Sequence, residues 1–556
     1  MEKEKSLAEA TLHLASSTSL HGPSHVIAKK SLYGKLLWMA VMLTAFGMLI
    51  WQFTTMINKF YTYPVSTSTA MENNPHLYFP AVTFCNVNPV RRSMMDRLSE
   101  GMQGIMQTSN KRPPDINGAD FNAPKADMQT QSDFYQLYSL IPPSEKKEVG
   151  HQLDYMLVDC MWNGRQCSGE NFTWFTNWKY GNCFTFNQGV SRSTQISRNS
   201  GPLYGLHLQL YIQESEYVSD ITPSQGIKVV IHNQTDMPFP EDSGFFIPPG
   251  QETAVGLKLT TIAREDPPHG KCENVSSRVL RRKNAYMNHA KNLGYTHKTC
   301  QQTCIQQRII EACNCSSYMH PNVGPPFETL KASGYSLEIC NETGTAYDQY
   351  CTEQATNNNA KSCQHYNPGP CPVQCLENLY KTTISSMQWP SEDNLIQIID
   401  NLLGMAVEIN DTGMIKNILK YKNPKSPGGE GTPENQMAFI RRNVIVLNIY
   451  YEDFYVQTFV TSASYGIGDL LSSLGGTFGL WMGLSIITVF EFVEFFIDLI
   501  RLAIVDRILK NKKRSSDMPS KSDGQNDVSH ISPPNLYHRD DIELTKKNYI
   551  TPISGD

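Results

Sequence analysis

Three carboxylates inside an apolar segment are the side chains of this sequence with the most unusual chemistry. Glu491, Glu494 and Asp498 lie in the run Leu470–Val505, and their spacing of three and four places them within about 60° on one face of a helix. A carboxylate inside a bilayer costs about 2.5–3.5 kcal/mol on insertion scales, so a stripe of three is expected to face water or cations. Acidic rings built from several copies line cation pathways. The alternative is a position in the headgroup region, which applies best to Asp498 because Arg501 follows it.

A glycine-rich stretch precedes the acidic stripe in the same run. Gly475 and Gly476 come first, and Gly483, Leu484 and Ser485 follow. Glycine within a membrane segment permits either close approach of two helices or a break in the helical backbone. A helix-dimerisation face is the ordinary explanation of spaced glycines. A glycine followed by a small hydroxyl residue, just before an acidic stripe, favours a broken backbone beside water.

Membrane-spanning helices must position these residues, and a second apolar run is present near the N-terminus. This run, Leu36–Ile57, carries no charge and is long enough for a span, which needs about 20 residues. A secretory signal fits it poorly, because more than 30 residues precede it and no small-residue cleavage site follows. A buried helix of a soluble protein is the other alternative for both runs. We predict transmembrane helices at residues 35–58 and 466–505.

The composition of the whole chain is that of a largely water-exposed protein with few membrane segments. The chain has 556 residues, of which 40% are apolar and 18% charged, with a net charge of −5. This length suffices for one large or two to three ordinary domains. The charge argues against a strongly basic nucleic-acid binder.

Basic residues flank the two apolar runs on their terminal sides. They are Lys29, Lys30, Lys35, Arg501, Arg507, Lys510, Lys512, Lys513 and Arg514. Because positive charge accumulates on the cytoplasmic side of a membrane, both termini are predicted to be cytoplasmic, with tails at residues 1–34 and 506–556. The polar segment after Lys510 is predicted to be disordered.

Cysteines and glycosylation sequons occur only between the two runs. All 14 cysteines fall there, and so do the acceptor asparagines Asn171, Asn233, Asn274, Asn314, Asn341 and Asn410. This distribution is typical of disulfides and glycans in an oxidising, extracellular compartment, so residues 59–465 are predicted to be extracellular. Zinc binding by pairs such as Cys313 and Cys315 is the alternative, but histidines are not clustered with them.

The extracellular segment has the sequence pattern of a mixed α and β domain. Cys300 and Cys304 are four residues apart and therefore share a helical face. Polar, Pro-rich and Gly-rich composition predicts loops at 101–135 and 422–435. The predicted strands are Phe79–Val87, Leu206–Ile212, Gly226–His232 and Asn443–Phe459.

The residues around the second run resemble the signature of the epithelial sodium channel/degenerin superfamily, which includes acid-sensing and peptide-gated channels. Gly483, Leu484 and Ser485 match its G-x-S selectivity filter, and Glu491 and Glu494 match its acidic positions after the filter. Phe79–Arg91 (FPAVTFCNVNPVR) is similar to the start of the family's ectodomain. The dipeptide His21-Gly22, after a Ser/Thr cluster and shortly before the first span, resembles the His-Gly motif of a re-entrant loop below the filter.

The resemblance implies a two-span plasma-membrane protein with a hand-like, disulfide-rich α+β ectodomain. It also implies a trimer around one pore, as a homotrimer or with related subunits, selectivity for sodium over potassium and block by amiloride. No catalytic activity, cofactor, metal site or nucleic-acid partner is expected. The disulfides it implies are Cys85–Cys183, Cys160–Cys167, Cys272–Cys375, Cys300–Cys371, Cys304–Cys363, Cys313–Cys351 and Cys315–Cys340.

The sequence is compatible with several stimuli for opening such a channel. Asp469 occupies a position associated with degenerin activation, and the segment 231–250 is most like FMRFamide-type peptide-gated members. Tyr63-Pro64 replaces a histidine pair of acid-sensing relatives, so an extracellular peptide ligand is favoured over protons. Constitutive or mechanically coupled opening is a further alternative. A non-conducting two-span receptor is a distant one, since a membrane anchor has no use for intramembrane carboxylates.

Overall fold

The computed structural model describes residues 14–16, 18–20, 22–109, 126–189, 194–219, 221–274, 293–320, 338–341, 346–364, 371–422 and 431–516. The chain forms two compact units. One unit comprises 1–52 together with 474–556, and the other comprises 53–473. The first unit contains most of both apolar runs, and the second contains all of the cysteines.

The described chain contains both helices and strands. The α-helices are α1 (Pro23–Ala28), α2 (Leu32–Tyr61), α3 (Glu100–Ser109), α4 (Ala126–Leu140), α5 (Pro143–Val149), α6 (Leu153–Met156), α7 (His297–Cys313), α8 (Ala346–Gln364), α9 (Leu395–Glu408), α10 (Thr412–Lys422), α11 (Pro433–Asn443), α12 (Ile467–Met482) and α13 (Ile486–Ser516). Short 3₁₀ turns occupy Arg92–Arg97, Gly169–Asn171, Pro202–Tyr204, Glu214–Glu216 and Glu392–Asn394. The strands are β1 (Val65–Asn73), β2 (Leu77–Tyr78), β3 (Ala81–Asn86), β4 (Leu157–Trp162), β5 (Arg165–Gln166), β6 (Phe172–Asn177), β7 (Gly181–Phe186), β8 (Ile196–Ser197), β9 (Leu206–Tyr211), β10 (Ile227–His232), β11 (Phe245–Ile247), β12 (Gln251–Ala263), β13 (Cys272–Glu273), β14 (Val373–Gln374), β15 (Leu376–Gln388), β16 (Val444–Tyr451) and β17 (Tyr455–Ala463).

A mixed eight-stranded sheet forms the centre of the 53–473 unit. Its order is β1-β17-β12-β16-β9-β4-β5, and β15 pairs with β12 along its whole length. The other edge of β12 is shared by β16 and then by β17, both parallel to it. β1 pairs antiparallel with β17, from Val65 opposite Ala463 to Asn73 opposite Tyr455. The strand that follows α2 is therefore hydrogen-bonded to the strand that precedes α12.

A second sheet, with the order β11-β10-β3-β7-β6, packs against the first through a common apolar core. β3 is the central strand of this sheet, and all of its residues are buried. Burial on both faces is expected for a strand whose sequence is mostly apolar and does not alternate with polar residues. Fully buried members of this core include Phe79, Phe84, Leu208, Leu257 and Ile449. The predicted strands at 79–87, 206–212 and 226–232 correspond to β3, β9 and β10.

The single strand predicted over Asn443–Phe459 is two strands in the structure. β16 ends at Tyr451 and β17 begins at Tyr455. Between them the Asp453 carboxylate accepts a hydrogen bond from the Tyr455 N–H at 3.1 Å, an Asx turn that redirects the chain. The apolar character continues through this turn, so the sequence pattern did not reveal it.

The loop predicted for 101–135 is wrong at both ends, since α3 and α4 occupy them. Phe134 and Tyr138 are fully buried and their rings stack with centroids 5.8 Å apart. These residues are one helical turn apart, and Met102 of α3 joins the same small core. α4 buries only one face, so most of its residues are polar. The composition of this segment therefore predicted a loop.

The loop predicted for 422–435 and the disorder predicted after Lys510 also differ from the structure. α11 already begins at Pro433, with Thr432 capping it by accepting a hydrogen bond from the Asn435 N–H. α13 continues to Ser516. Residues 423–430 and 517–556 lie outside the described part of the chain.

Seven disulfides cross-link the 53–473 unit, and all 14 cysteines take part. They are Cys85–Cys183, Cys160–Cys167, Cys272–Cys375, Cys300–Cys371, Cys304–Cys363, Cys313–Cys351 and Cys315–Cys340. These are the pairs that the family resemblance implies. The set includes three bonds that fix α7, because Cys300, Cys304 and Cys313 lie on that helix.

Within the described residues, one helix is long and apolar enough to cross a membrane unaided. It is α2, whose 30 residues extend about 45 Å at 1.5 Å per residue. α12 and the following segment Ile486–Arg501 meet that test only together, as two helices bent by 73° at a short break. A broken span and a re-entrant loop both fit this geometry.

Candidate functional site

The break between α12 and α13 lies at the residues with the filter-like pattern. Gly483 has φ +67°, a left-handed conformation that glycine adopts without steric cost. Its N–H bonds to the Gly479 carbonyl at 3.0 Å, and the Leu484 N–H bonds to the Phe478 carbonyl at 3.2 Å. A glycine in this conformation ends a helix while satisfying its last carbonyls. The left-handed backbone conformation at position 483 therefore explains why this residue is a glycine.

Ser485 begins α13 through reciprocal hydrogen bonds. The Ser485 N–H donates to the Thr488 Oγ1 at 3.1 Å, and the Thr488 N–H donates to the Ser485 Oγ at 3.3 Å. This is the geometry of a capping box, with threonine in the place of the usual acid or amide. Thr488 is fully buried. The hydroxyl of Ser485 is thus part of the structure that restarts the helix after the break.

Gly475 and Gly476 lie inside α12 and not at the break. A Cβ added to either would meet no atom within 4 Å. In the single chain these two glycines leave open space beside the helix.

Asp469 lies in the first turn of α12, where it caps the helix. Its carboxylate accepts a hydrogen bond from the Gly466 N–H at 2.9 Å. An acid three positions after the N-cap residue satisfies one of the helix's free N–H groups and complements the positive end of its dipole. Asp469 therefore stabilises the start of α12 directly after the connection from β17.

The segment before the His-Gly dipeptide contacts the first turns of α13. The Thr18 hydroxyl donates to Glu491 Oε2 at 2.8 Å, and the Ser19 N–H donates to the same oxygen at 3.0 Å. The Ser19 Oγ lies 2.7 Å from the Thr488 Oγ1. Sequence reasoning noted this Ser/Thr cluster only as a setting for the His-Gly motif and missed Thr18 and Ser19 as partners of Glu491.

Gly22 packs where no larger residue fits. It is buried, its φ is +110°, and an added Cβ would lie 2.8 Å from the Met42 side chain of α2. Three residues later the His25 ring stacks on Trp38 at 4.5 Å between centroids. The adjacent His21 lies outside the described residues.

The three acids of the stripe have different surroundings. Glu491 is bound by the N-terminal segment. Asp498 lies 3.7 Å from Arg501 on the same helix. Glu494 is exposed, and no ion pair or hydrogen bond to its side chain occurs within the described part of the chain. Of the three acids, Glu494 is thus the one whose carboxylate has no partner within the described residues.

A polar contact joins the two apolar helices just before the break. The Trp481 indole N–H donates to the Gln52 Oε1 at 2.7 Å. Both residues belong to the same compact unit. In an apolar environment such a bond stabilises helix pairing because no water replaces it.

The one group of potential metal ligands within the described residues does not fit a metal. It contains Asp266, Cys272 and Cys375, but the two cysteines are bonded to each other in a disulfide. Their sulfurs are therefore not thiolates, and thiolate is the form that binds zinc.

The predicted glycosylation sites differ in accessibility. Asn274, Asn314, Asn341 and Asn410 are exposed, whereas Asn171 and Asn233 are half-buried. The Asn233 amide donates to Asp236 at 3.1 Å and to the Asn378 carbonyl at 3.3 Å. Glycosylation at Asn233 would disturb these contacts, and the other sequons stay predictions.

The Asp236 carboxyl that accepts from Asn233 is itself largely buried. Burial raises the pKa of Asp236 to about 6, the hydrogen bond from Asn233 opposes the rise, and the charge of Glu377 adds to it. Glu377 itself pairs with Arg264 at 2.8 Å. The Asp236 carboxyl can therefore change its charge at mildly acidic pH.

Comparison with known proteins assigns this arrangement to a family. The family described as amiloride-sensitive sodium channel matches residues 14–495. The chain is 25% identical to the epithelial sodium channel subunit gamma of Neoceratodus forsteri, over 93% of this chain and 87% of that protein. It is 26% identical to the subunit alpha of the same species, over 92% and 82%.

A further relative carries a ligand in its name. The chain is 24% identical to the FMRFamide-activated amiloride-sensitive sodium channel of Cornu aspersum, over 89% of this chain and 84% of that protein. The family match covers far more than half of the chain. This protein therefore belongs to the amiloride-sensitive sodium channel family, a family of plasma-membrane sodium channels and not of enzymes.

Proposed function

We propose that this chain is a pore-forming subunit of a trimeric, sodium-selective, amiloride-blocked channel with two membrane spans and cytoplasmic termini. The observation that carries the proposal is the break at Gly483–Ser485 between two apolar helices, followed by the exposed Glu494. Backbone freed by such a break is tolerated at membrane depth only beside water or protein. Na⁺ passes a constriction at the break, and the acids below it concentrate cations.

The assembly of several copies is supported by what one chain leaves uncovered. Ile486 and Phe490 at the start of α13 are 78% and 68% exposed, and the glycines of α12 leave open space. One broken helix cannot enclose a pathway alone. The relatives in the comparison are named as subunits alpha and gamma, which supports assembly with other subunits; a homotrimer and a trimer with related subunits are both proposed.

An extracellular neuropeptide is the proposed stimulus. Support comes from the FMRFamide-activated relative. The experiment is voltage-clamp recording from cells that express this chain alone, in sodium solution at constant pH, while pooled amidated neuropeptides are applied. A rapid inward current blocked by amiloride is expected. Silence, with the protein detected at the cell surface, would reject peptide gating of the homomer.

Proton gating or modulation is the second candidate, and Asp236 favours it. Its carboxyl titrates near pH 6 in a contact that links Asn233 to the strand β15 through the Asn378 carbonyl. Acid steps applied to the same cells test this candidate. If protons act through this site, Asp236→Asn abolishes the response below neutral pH and leaves a peptide response intact. An unchanged acid response in that variant rules out Asp236 as the sensor.

A further inference from the structure

Part of one face of the central sheet carries polar side chains, while the opposite face carries the apolar core. His207 and Gln209 alternate along β9 with Leu208, which is fully buried in that core. Asp159 of β4 lies opposite Gln209. Asn448 of β16 lies opposite His207. These four polar residues therefore share one face across three neighbouring strands.

A chain of hydrogen bonds fixes which nitrogen of the His207 ring carries the proton. The Asn448 Nδ2 donates to Glu252 Oε1 of β12 at 2.8 Å, so the other end of the amide, Oδ1, is an acceptor. His207 Nδ1 lies 2.6 Å from that Oδ1 and therefore donates to it. The lone pair of the uncharged ring is then on Nε2. A histidine that ligates a metal is held in the same way, because its second nitrogen donates to a protein oxygen.

The unprotonated nitrogen of His207 faces a carboxylate. His207 Nε2 lies 3.9 Å from Asp159 Oδ2, and the two side chains are 26% and 34% exposed. Two electron-pair donors thus face each other across a gap that is too wide for a hydrogen bond. Zn²⁺ binds an imidazole nitrogen at about 2.0–2.1 Å and a carboxylate oxygen at about 2.0–2.2 Å. One such ion between them reaches both atoms.

A buried amide beside this pair lacks an acceptor. Gln209 is 8% exposed, and its Nε2 has no hydrogen-bond partner within the part of the chain that the structure describes. A buried donor without a partner is unfavourable. A metal ion with two protein ligands keeps water in its remaining positions, and the oxygen of such a water is an acceptor for this amide.

We propose that His207 and Asp159 form a binding site for a divalent transition-metal ion such as Zn²⁺. Asn448 and Glu252 are positioning residues that orient the histidine. Imidazole suits these ions, whereas Mg²⁺ and Ca²⁺ prefer oxygen ligands. The site is separate from the three-residue group around the Cys272–Cys375 disulfide, and it does not depend on the proposed channel function. A bound ion joins β4 to β9 directly, and the hydrogen bonds behind the histidine extend this connection to β16 and β12.

Metal counting on the purified full-length protein tests the site. The protein is stripped with a chelator, equilibrated with ZnCl₂ at neutral pH and passed through gel filtration; its zinc content is then measured by elemental mass spectrometry and its affinity by calorimetry. All cysteines are paired, so no thiolate competes for the ion.

His207→Gln and Asp159→Asn should each bind one zinc ion fewer per chain than wild type. His76→Gln, at an exposed histidine, is the control and should match wild type. Asn448→Ala should keep the site with an affinity about 10–100-fold lower, the usual effect of losing an outer-shell partner. MgCl₂ should not distinguish the variants. Equal zinc content and affinity in wild type, His207→Gln and Asp159→Asn overturn the proposal.

Chemical labelling tests the site in the unaltered protein, where no substitution can disturb folding. Diethyl pyrocarbonate acylates an uncharged imidazole, and the hydrogen bond at Nδ1 of His207 leaves Nε2 as the reactive nitrogen. ZnCl₂ should protect His207 from labelling, as measured by peptide mass spectrometry, and should leave the labelling of His76 unchanged. Labelling of His207 that is the same with and without zinc contradicts the site. Resistance of His207 in both conditions would identify an ion pair with Asp159 and equally overturns the proposal.

Discussion

At the residue scale, the N-terminal segment contains one position, Gly22, where the backbone conformation and the packing both exclude a larger side chain. Gly22 combines a positive φ with a Cβ position 2.8 Å from Met42. The glycine of the His-Gly motif is thus explained by local sterics. His21 receives no such account, because it lies outside the described residues.

Gly22→Ala is expected to reduce channel current by about tenfold or more, since backbone strain at such a position costs about 1–3 kcal/mol and the Met42 side chain must also move. The measurement is current normalised to surface protein. Gly47→Ala is the control, because Gly47 lies on α2, the helix of Met42, and a Cβ there would meet no atom within 4 Å. Equal currents from the two variants would contradict the assignment.

His151 gives the 53–473 unit a specific acid sensitivity. Burial lowers the pKa of His151 to about 4, and the charge of Arg91 lowers it further against the opposing hydrogen bond with Gln213. The ring accepts from the Asn88 amide at 3.0 Å and donates to Gln213 at 3.0 Å, so it is held neutral.

Because the folded protein binds this proton less readily than the unfolded chain, the contribution of His151 to stability is complete above about pH 6.5. It is lost as pH falls toward 4, by about 3 kcal/mol over that interval. Thermal unfolding of the purified protein at several pH values measures the loss. His151→Gln should flatten this dependence, while the exposed His76→Gln should leave it as in wild type. If stability depends on pH in the same way in both variants, His151 is not the source of the loss at low pH.

Among the elements, the cap of α12 has the clearest testable role. Asp469→Ala removes the acceptor of the Gly466 N–H, a loss of about 0.5–1.5 kcal/mol for one hydrogen bond. Asp469→Asn keeps an acceptor oxygen. We expect the alanine variant to change the current at rest, measured as the amiloride-sensitive fraction, and the asparagine variant to change it less. Larger effects from asparagine would point to charge and not to capping.

The elements also show what the sequence can and cannot predict. β3 and β10 were predictable because their runs are short, apolar and rich in β-branched or aromatic residues. α4 was missed because its buried face, which includes Phe134 and Tyr138, is diluted by polar residues. The helix break was predictable from Gly483 and Ser485. The contact of Thr18 with Glu491 was not, because 473 positions separate the partners and no local pattern encodes such a pairing.

At the scale of the whole molecule, the uncovered helices predict assembly. If three copies surround one pathway, single complexes carrying one fluorophore per subunit should bleach in at most three steps. Ile486 and Phe490 are exposed in the single chain, so replacing both with lysine should leave mostly one-step complexes. A control pair of lysines at Leu203 and Tyr204, exposed in the ectodomain, should keep the three-step class. A maximum of two or four steps would reject the trimer.

The pairing of β1 with β17 has a mechanical consequence. Three residues, 62–64, connect α2 to β1, and three residues, 464–466, connect β17 to α12. The two connections are themselves joined, because the Ser464 N–H bonds to the Pro64 carbonyl at 2.9 Å. Three residues extend about 10 Å at most, so neither connection holds much slack. A pull on either strand therefore reaches the C-terminal end of α2 and the N-terminal end of α12 together.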